Sequence, residues 1–156
     1  MHLDKTDKKI LNILQKNGRI RNSKLAAEIG ISPPAMLERV KRLEASGVIT
    51  GFNAQVDRDM VGYGLLAIII VSVSLHQISS LEAVKERLAN LDLVLECYQL
   101  TGDVDFMLKV AVRDMQTYST FVNDQLSDIP GVQNVKTSFV LETLKSSSFL
   151  ELNLEE

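Results

Sequence analysis

Basic residues at helical spacing are the feature of this chain with the clearest chemistry. Arg39 and Arg42 stand three positions apart, so on a helix both lie on one side, with Lys41 beside them. A guanidinium group can donate two hydrogen bonds to guanine O6 and N7, or it can hold a phosphate. The alternative is an ordinary exposed helix face on which the arginines pair with Glu38. The spacing favours a helix that enters the major groove of DNA.

A pair of carboxylates beside a glycine is the second group with possible chemistry. Asp103 and Asp105 lie in the segment TGDVD, which begins at Thr101. Two such carboxylates could serve acid–base catalysis or bind a metal, but the chain has only 2 histidines, 1 cysteine and no further ligand cluster. From these residues alone we favour a hairpin turn with solvated aspartates. We predict no enzyme activity, no metal site and no cofactor.

The basic residues belong to a segment, residues 22–50, with the pattern of a helix-turn-helix. A small residue, Ala26, stands where two helices must approach closely, and Gly30 suits the left-handed position that ends a helix. Ser32 can then cap a second helix that has proline at its first position. The apolar faces are formed by Leu25, Ala26 and Ile29 in the first helix and by Met36, Val40 and Leu43 in the second.

Contacts to DNA are expected from this segment in two forms. Arg39 and Arg42 could contact base edges, whereas Arg21, Lys24 and Lys41 suit phosphate contacts that position the protein without recognising sequence. Ser32 could also hold a phosphate, through its hydroxyl or through the helix N-terminus. The predicted DNA-binding residues are Arg21, Lys24, Ser32, Pro33, Pro34, Arg39, Lys41 and Arg42.

The net charge differs in sign between the N-terminal part of the chain and the remainder. The 156 residues carry a net charge of −3, yet the first 60 hold eleven basic and seven acidic residues, a net +4, which leaves −7 for the remainder. A basic N-terminal part on an acidic body indicates that one part meets phosphate and the other does not. With no signal sequence and no apolar run near the ~20 residues of a membrane span, we predict a soluble cytoplasmic protein without membrane contact.

The N-terminal part is predicted to contain three helices, the first of which covers Lys5–Lys16 with Asp4 as its N-cap. After the third helix, residues 48–54 alternate weakly, like a short strand and turn that would form a wing. Residues 57–64 have the composition of a linker. We therefore predict two domains: residues 1–60 as a winged helix-turn-helix with a linker strand, and residues 61–156 as a second domain.

The second domain has an internal repeat in the order β-α-β-β-α-β. Two strands are predicted over residues 65–75 and 93–101. A third is predicted from Phe106 to Val112, and a fourth contains residues Val135 to Leu141. Ser79 with Glu82 should cap the first helix, and Asp114 should cap the second. The predicted fold class is α+β, a winged helix-turn-helix followed by a ferredoxin-like βαββαβ domain.

One face of this sheet has no predicted cover. Ile68, Ile69 and Ile70 point to both sides of the first strand, so apolar side chains are expected on the open face as well. An exposed apolar face usually marks an interface, and we predict a dimer through it. The alternative is a contact within one chain that covers the sheet. Residues 149–154 alternate as an added edge strand would.

With both parts placed, the chain resembles the Lrp/AsnC family of transcription regulators, also called feast/famine regulators. The resemblance rests on LDKTDKKILNILQKNGRI, SPPAMLERVKRLEASGVITGF, LTGDVDFMLKV and PGVQNVKTSFVLETLK, which occur in the family's order and cover nearly the whole chain. The chain departs from the pattern at Ala35 and Met36, where many members have Pro-Cys. The resemblance implies dimers that often form octamers, and members that commonly sense amino acids.

The resemblance also changes the interpretation of the segment Thr101–Asp105, which we call the acidic loop. The loop corresponds to part of the family's effector site, which lies between dimers, and two residues of the last strand correspond to another part. Backbone N–H groups near a glycine suit a carboxylate, and an aspartate suits an ammonium group, which are the two ends of an amino acid. The effector-binding residues implied are Leu100, Thr101, Gly102, Asp103, Asp105, Thr137 and Ser138.

Two functions from different classes follow. The first is a DNA-binding transcription regulator that responds to an amino acid or a related metabolite. The second is a stand-alone metabolite-binding or small enzymatic ferredoxin-like protein, with the helical part as a docking module. Salt-dependent binding to duplex DNA distinguishes them, because only the first predicts it.

Overall fold

The computed structural model describes residues 2–74 and 81–154. The chain forms two compact units, one made of Met1–Gln55 and Lys145–Glu156, the other of Val56–Leu144. The elements in the first unit are α1 (Lys5–Lys16), α2 (Asn22–Ile29) and α3 (Pro33–Ala45). Those in the second are β1 (Leu65–Val73), α4 (Leu81–Ala89), β2 (Val94–Gln99), β3 (Phe106–Val112), α5 (Met115–Thr120), a π-helical segment (Phe121–Leu126) and β4 (Val132–Phe139).

The first helix begins and ends where the sequence predicts. The Asp4 carboxylate accepts a hydrogen bond from the Asp7 N–H at 2.7 Å, and the Asp7 carboxylate accepts one from the Asp4 N–H at 3.3 Å. This reciprocal arrangement is a capping box, which satisfies N–H groups that a helix end leaves unpaired. The three helices enclose a core of Ile10, Leu11, Leu14, Leu25, Ala26, Met36 and Leu43.

The turn between α2 and α3 is tight because of Gly30. Its φ of 82° lies in the left-handed region, where a side chain is disfavoured, and its N–H donates to the Ala26 carbonyl at 2.9 Å. Ser32 then caps α3, with prolines at the first two positions of the helix. The predicted helix-turn-helix is confirmed in each of these details.

The predicted strand after α3 is absent. Residues 46–64 contain no strand, so the described chain has no backbone-paired strand directly after α3. Weak alternation over residues 48–54 suggested a strand, but a strand needs a partner to receive its backbone hydrogen bonds. Side-chain alternation alone does not supply one.

The second unit is a four-stranded antiparallel sheet in the order β2-β3-β1-β4. With α4 between β1 and β2, and α5 with the π-helical segment between β3 and β4, the element order is that of the predicted ferredoxin-like fold. The core combines one side of the sheet with the helices: Ala67, Ile69, Val71, Val84, Leu88, Phe106, Leu108, Val110, Val112, Phe121, Leu126 and Ile129.

The isoleucines of β1 are divided between the two sides of the sheet. Ile69 is fully buried in the core with the helices, whereas Ile68 and Ile70 are half-buried on the other side. Successive residues of a strand point to opposite faces, so this division follows directly from the strand geometry. The open face therefore carries Ile68 and Ile70, and Ile69 belongs to the interior.

The last helix is not uniform. A π-helical segment continues α5, and the Ser127 N–H donates to the Val122 carbonyl five residues earlier at 2.9 Å. The wider turn brings Phe121 and Leu126, five positions apart, onto the same buried side. The predicted cap of this helix is confirmed, because the Asp114 carboxylate accepts from the Thr117 N–H at 2.7 Å.

The C-terminal tail does not form the expected edge strand. No strand is assigned within residues 140–154; the tail runs along α1, in the first unit and apart from the predicted domain of residues 61–156. The amide side chain of Gln15 donates to the Leu150 carbonyl at 2.9 Å and accepts from its N–H at 2.8 Å. Asn12 holds Leu152 in the same way, at 2.9 and 3.0 Å. The tail is thus held by hydrogen bonds to two side-chain amides, and not by the backbone pairing of the edge strand that the alternation predicts.

Some predicted ends differ or lie outside the described residues. Residue Leu75, at the predicted end of the first strand, and Ser79, in the predicted capping box, lie in the part that is not described. Leu141 lies beyond β4 and is fully exposed. A strand pattern can continue in a sequence after the backbone pairing has stopped, which accounts for this difference.

Candidate nucleic-acid interface and effector site

Helix α3 has one buried side and one outward side. Met36 and Leu43 are fully buried against the other helices. At 3.6 residues per turn the opposite side is formed by positions 34, 38, 41 and 45. Pro34, Glu38 and Lys41 are all exposed. This outward face is therefore the part of α3 that a DNA groove could receive.

The two arginines of α3 are held by a buried carboxylate of α1. Asp7 is only 1% exposed, and it accepts from Arg39 Nη1 at 2.8 Å and from Arg42 Nη2 at 2.8 and 2.7 Å. Arg39 Nη1 also donates to the Asp4 carboxylate at 2.7 Å. A buried charge is tolerated only when it is paired and hydrogen-bonded, and the arginines provide that pairing. The network fastens α3 to the start of α1.

These contacts change how the two arginines should be interpreted. We expected Arg39 and Arg42 to face a groove, with pairing to Glu38 as the alternative, but Asp4 and Asp7 are the carboxylates that engage them. The hydrogen bond from Arg39 holds the pKa of Asp4 below its ordinary value, and the same pair raises the pKa of Arg39. In this structure Arg39 is paired with two carboxylates of the first helix, and Arg42, 53% exposed, keeps a surface that phosphate could reach.

The other predicted DNA contacts lie around the start of the two helices. Arg21 and Lys24 are exposed at the first turn of α2, and Pro33 is exposed at the first position of α3. The Ser32 hydroxyl accepts from the Ala35 N–H at 3.4 Å, so it acts as the helix cap. One contact was not predicted: Asn22 Nδ2 donates to the Pro33 carbonyl at 2.9 Å and ties the two helix starts together.

The acidic loop is a hairpin between β2 and β3. The Leu100 N–H donates to the Asp105 carbonyl at 2.8 Å and closes the loop. Gly102 has a φ of 108°, a conformation that glycine adopts readily and other residues rarely do. Thr101 and Asp103 are exposed at the tip. The tip therefore presents a hydroxyl, a carboxylate and glycine backbone to any ligand.

Asp105 has a structural partner. Its Oδ2 accepts a hydrogen bond from the Val73 N–H at 2.8 Å, and its own N–H donates to the Val71 carbonyl at 3.2 Å. The carboxylate thus satisfies a backbone group at the end of β1, where the ladder with β3 stops at Phe106. Of the two aspartates, Asp103 is the one that faces solvent, and Asp105 supports the strand.

Thr137 and Ser138 lie elsewhere on the sheet and on opposite faces. Thr137 accepts a hydrogen bond from the Tyr118 hydroxyl at 2.7 Å on the helix side, whereas Ser138 is exposed. In β1 their partners are Ile69 and Ile68. Four residues separate Ile69 from Val73, roughly 13 Å along a strand. Within one chain, β4 and the acidic loop therefore do not form a common pocket.

Two grooves of the second unit are separate from these residues. A groove of about 540 Å³ lies between α4 and the π-helical segment, and another of about 320 Å³ is bordered by residues near Arg58 and Leu95. None of the predicted effector residues lines either groove. In residues 2–74 and 81–154 no group of three or more His, Cys, Asp or Glu could hold a metal ion. No helix in the same residues has the length and apolarity needed to cross a bilayer.

An exposed second helix in a helix-turn-helix, joined to a βαββαβ unit with an open sheet face, defines a DNA-binding transcription regulator with a separate ligand-binding domain. Residues 3–50 match the family described as winged helix-turn-helix DNA-binding, and residues 66–150 match the Lrp/AsnC ligand binding domain. The chain belongs to the Lrp/AsnC family of transcription regulators.

Individual relatives are similar over nearly the whole chain. The leucine-responsive regulatory protein of Haemophilus influenzae is 38% identical over 150 residues, which are 96% of this chain and 90% of that protein. A transcriptional regulator of Neisseria meningitidis, solved in complex with L-methionine, is 38% identical, with a TM-score of 0.90 over 97% of this chain and 98% of its own. A feast or famine regulatory protein of Mycobacterium tuberculosis, also with L-methionine, is 26% identical, with a TM-score of 0.87 over 97% and 100% of the two chains.

Proposed function

We propose that this protein is a sequence-specific transcription regulator whose DNA binding responds to an amino acid. The observation that carries the proposal is the exposed outward face of α3. The turn at Gly30 and the cap at Ser32 begin this helix so that the face points away from the core. The basic charge of the first 60 residues supports attraction to phosphate. We assign it a binding role without catalysis, in the cytoplasm, where such a regulator meets the chromosome.

An amino acid with an apolar side chain is the effector class that the comparisons favour. Two relatives were solved with L-methionine, and others are named leucine-responsive. The exposed loop tip offers Asp103 for an ammonium group and the backbone at Gly102 for a carboxylate. Leu100 and Thr101 flank these groups, and we keep the loop as the candidate site.

The separation of the loop from β4 supports a site completed by another copy of the chain. Ser138 is exposed on the open face, and the loop tip lies beyond the opposite end of the β1–β4 ladder. A ligand that joined the loop of one copy to Thr137 or Ser138 of another would favour one assembly over the alternatives. Such differential affinity is what a ligand-operated switch needs.

Self-association through the open sheet face is supported by the residues on it. Leu66, Ile68 and Ile70 of β1 and Met107 of β3 supply apolar side chains to this face, beside the ion pair of Lys109 with Glu96 at 2.9 Å. That pair lowers the pKa of the Glu96 carboxyl, so it stays charged at neutral pH. An exposed sheet face with apolar side chains is typical of a protein interface, and we propose a dimer through this face that assembles further into octamers.

The effector proposal is tested by calorimetry on the full chain with L-methionine and L-leucine. We expect binding of at least one, and about tenfold or greater weakening in Asp103→Asn, because the ammonium group loses a charged partner. D-methionine serves as the matched ligand control. If neither L-amino acid binds the wild-type chain, the apolar amino-acid proposal is wrong. Equal affinity for the wild type and Asp103→Asn would remove Asp103 from the site.

The assembly proposal is tested with adjacent isoleucines of β1. Ile70→Asp places a charge on the open face, and we expect a folded chain that is monomeric by light scattering. Ile69→Asp places the same charge in the core, and we expect it to unfold, since a buried unpaired carboxylate is very costly. A folded Ile70→Asp variant with the oligomeric state of the wild type would contradict the proposed interface.

A further inference from the structure

The centre of the outward face of α3 carries an acidic residue. Glu38 stands between Pro34 and Lys41 on this face, and the side chains of Glu38 and Lys41 are 74% and 60% exposed. The arginines that would ordinarily supply base contacts are turned toward Asp4 and Asp7 of α1. The side chains best placed for base recognition are therefore a carboxylate and a lysine.

A carboxylate in this position has a restricted choice of partners. Phosphates repel it, and most groups on the base edges of the major groove are acceptors, which it cannot use. The donors in the groove are the exocyclic amino groups, N4 of cytosine and N6 of adenine, and carboxylates characteristically pair with cytosine N4. Such a residue weakens binding to most sequences. This loss of affinity is compensated only where an amino group of a base faces the carboxylate.

The present partner of Glu38 does not prevent this contact. Lys41 Nζ lies 3.5 Å from Glu38 Oε1, the longest of the ion pairs described in the chain. An exposed pair of this kind contributes little, so DNA could separate it at small cost. Lys41 would then be available for phosphate. Leu37, on the flank of the same face and 44% exposed, could contact a thymine methyl group.

We infer that Glu38 is a specificity-determining residue of this regulator, which accepts a hydrogen bond from a cytosine amino group in the major groove and disfavours other bases at that position. The inference rests on the proposed DNA-binding function and names the chemistry by which that function distinguishes sequences. Arg39 then acts as a positioning residue, which holds α3 at the angle that presents Glu38.

The experiment is selection from a randomised duplex pool with the full-length wild type and the full-length Glu38→Gln variant. We expect the wild type to enrich one position for cytosine in each half-site. The variant should lose about tenfold in discrimination there or change its preference to adenine, which glutamine recognises through N6 and N7. Its affinity for a scrambled duplex should rise, because one negative charge near the phosphates is gone.

Glu44→Gln is the matched control, since Glu44 is also exposed on α3 but lies on a flank nearer the helix end. This variant should raise affinity for scrambled DNA slightly and leave every base preference unchanged. If Glu38→Gln selects the same bases as the wild type, the inference is wrong and the proposed function stands. If the wild type binds DNA but enriches no sequence, both the inference and the proposed sequence specificity are wrong.

Discussion

The two polar clusters of this molecule, one at the start of α1 and one around the acidic loop, differ in how completely a single chain assembles them. Asp7 collects hydrogen bonds from Arg39 and Arg42 and from the Asp4 backbone, all at 3.3 Å or less. The predicted effector residues, by contrast, lie at the loop tip, just before β3 beside the end of β1, and on both faces of β4.

The difference follows from burial. A carboxylate that is 1% exposed must have its partners within the chain, because water cannot replace them. Residues that lie at the surface, such as Asp103 and Ser138, are satisfied by water until a ligand or another copy arrives. A complete buried cluster therefore indicates a structural role, and a dispersed exposed set is compatible with a site that forms on assembly.

The largest effect should come from removing the centre of the buried cluster. Asp7→Ala leaves Arg42 without a carboxylate partner and Arg39 with Asp4 alone, and we expect the free energy of unfolding of the first unit to fall by about 2–3 kcal/mol. Urea denaturation would measure the change. DNA binding should weaken in parallel, since α3 would lose its fastening to α1.

Asp4→Asn is the matched control for this prediction. Asp4 also pairs with Arg39, but its side chain is 50% exposed, and asparagine is as good an N-cap as aspartate. We expect a loss well below 1 kcal/mol. Equal losses in the two variants would show that burial does not distinguish these carboxylates, and the comparison between the clusters would fail.

A smaller effect is expected from the tail that lies along α1. Leu152 is half-buried and packs against the core of the first unit, whereas Leu150 is 72% exposed. Leu152→Ala should lower the free energy of unfolding by about 1–2 kcal/mol, and Leu150→Ala by less than about 0.5 kcal/mol. Chemical denaturation of the two variants gives the test. Similar values would indicate that the tail does not stay on α1 in solution.

Within the acidic loop, we expect Asp105 to contribute to the stability of the second unit and Asp103 to contribute to ligand binding. Asp105→Asn weakens the hydrogen bond to the Val73 N–H, and we expect a loss of about 1 kcal/mol from the second unit. Asp103→Asn should leave stability unchanged within about 0.5 kcal/mol, because the side chain is exposed. Thermal unfolding of both variants without ligand decides the matter. A larger loss in Asp103→Asn would reverse the roles assigned to them.

The sequence predicts those features that depend on neighbours along the chain. The cap at Asp4, the turn at Gly30 and the order of strands and helices all follow from spacing and propensity, and the structure confirms them. The strand predicted within residues 48–54 and the edge strand of the tail were wrong because alternation specifies which residues share a face but not whether a pairing partner exists. Asn12 and Gln15 instead hold a tail about 140 residues away, at sequence separations that no local pattern reports.

The candidate DNA site shows the same limit. Arg39 and Arg42 share a helix side as expected, but their partners lie 32 and 35 residues earlier in α1. Spacing within α3 identifies a polar side without revealing which part of it another helix covers. One feature of the sequence does indicate this contact. Asp7 is an acidic residue three positions before Ile10 on the first helix, where it could share the apolar face that packs against other helices.

The smallest effect concerns the pH dependence of the cluster at the start of α1. The hydrogen bond from Arg39 lowers the pKa of Asp4 below the ordinary value of 3.8. A carboxyl whose pKa is lowered by folding stabilises the folded state above its ordinary pKa, and that contribution disappears as the pH falls through the lowered value. The difference in unfolding free energy between the wild type and Asp4→Asn should therefore be constant above about pH 5 and shrink below about pH 4. It should stay below 1 kcal/mol and decrease in high salt, because Asp4 is half-exposed. Urea denaturation between about pH 2 and 7 measures this difference, and a gap for Asp4→Asn that widens on acidification would mean that Arg39 does not stabilise the charged carboxylate.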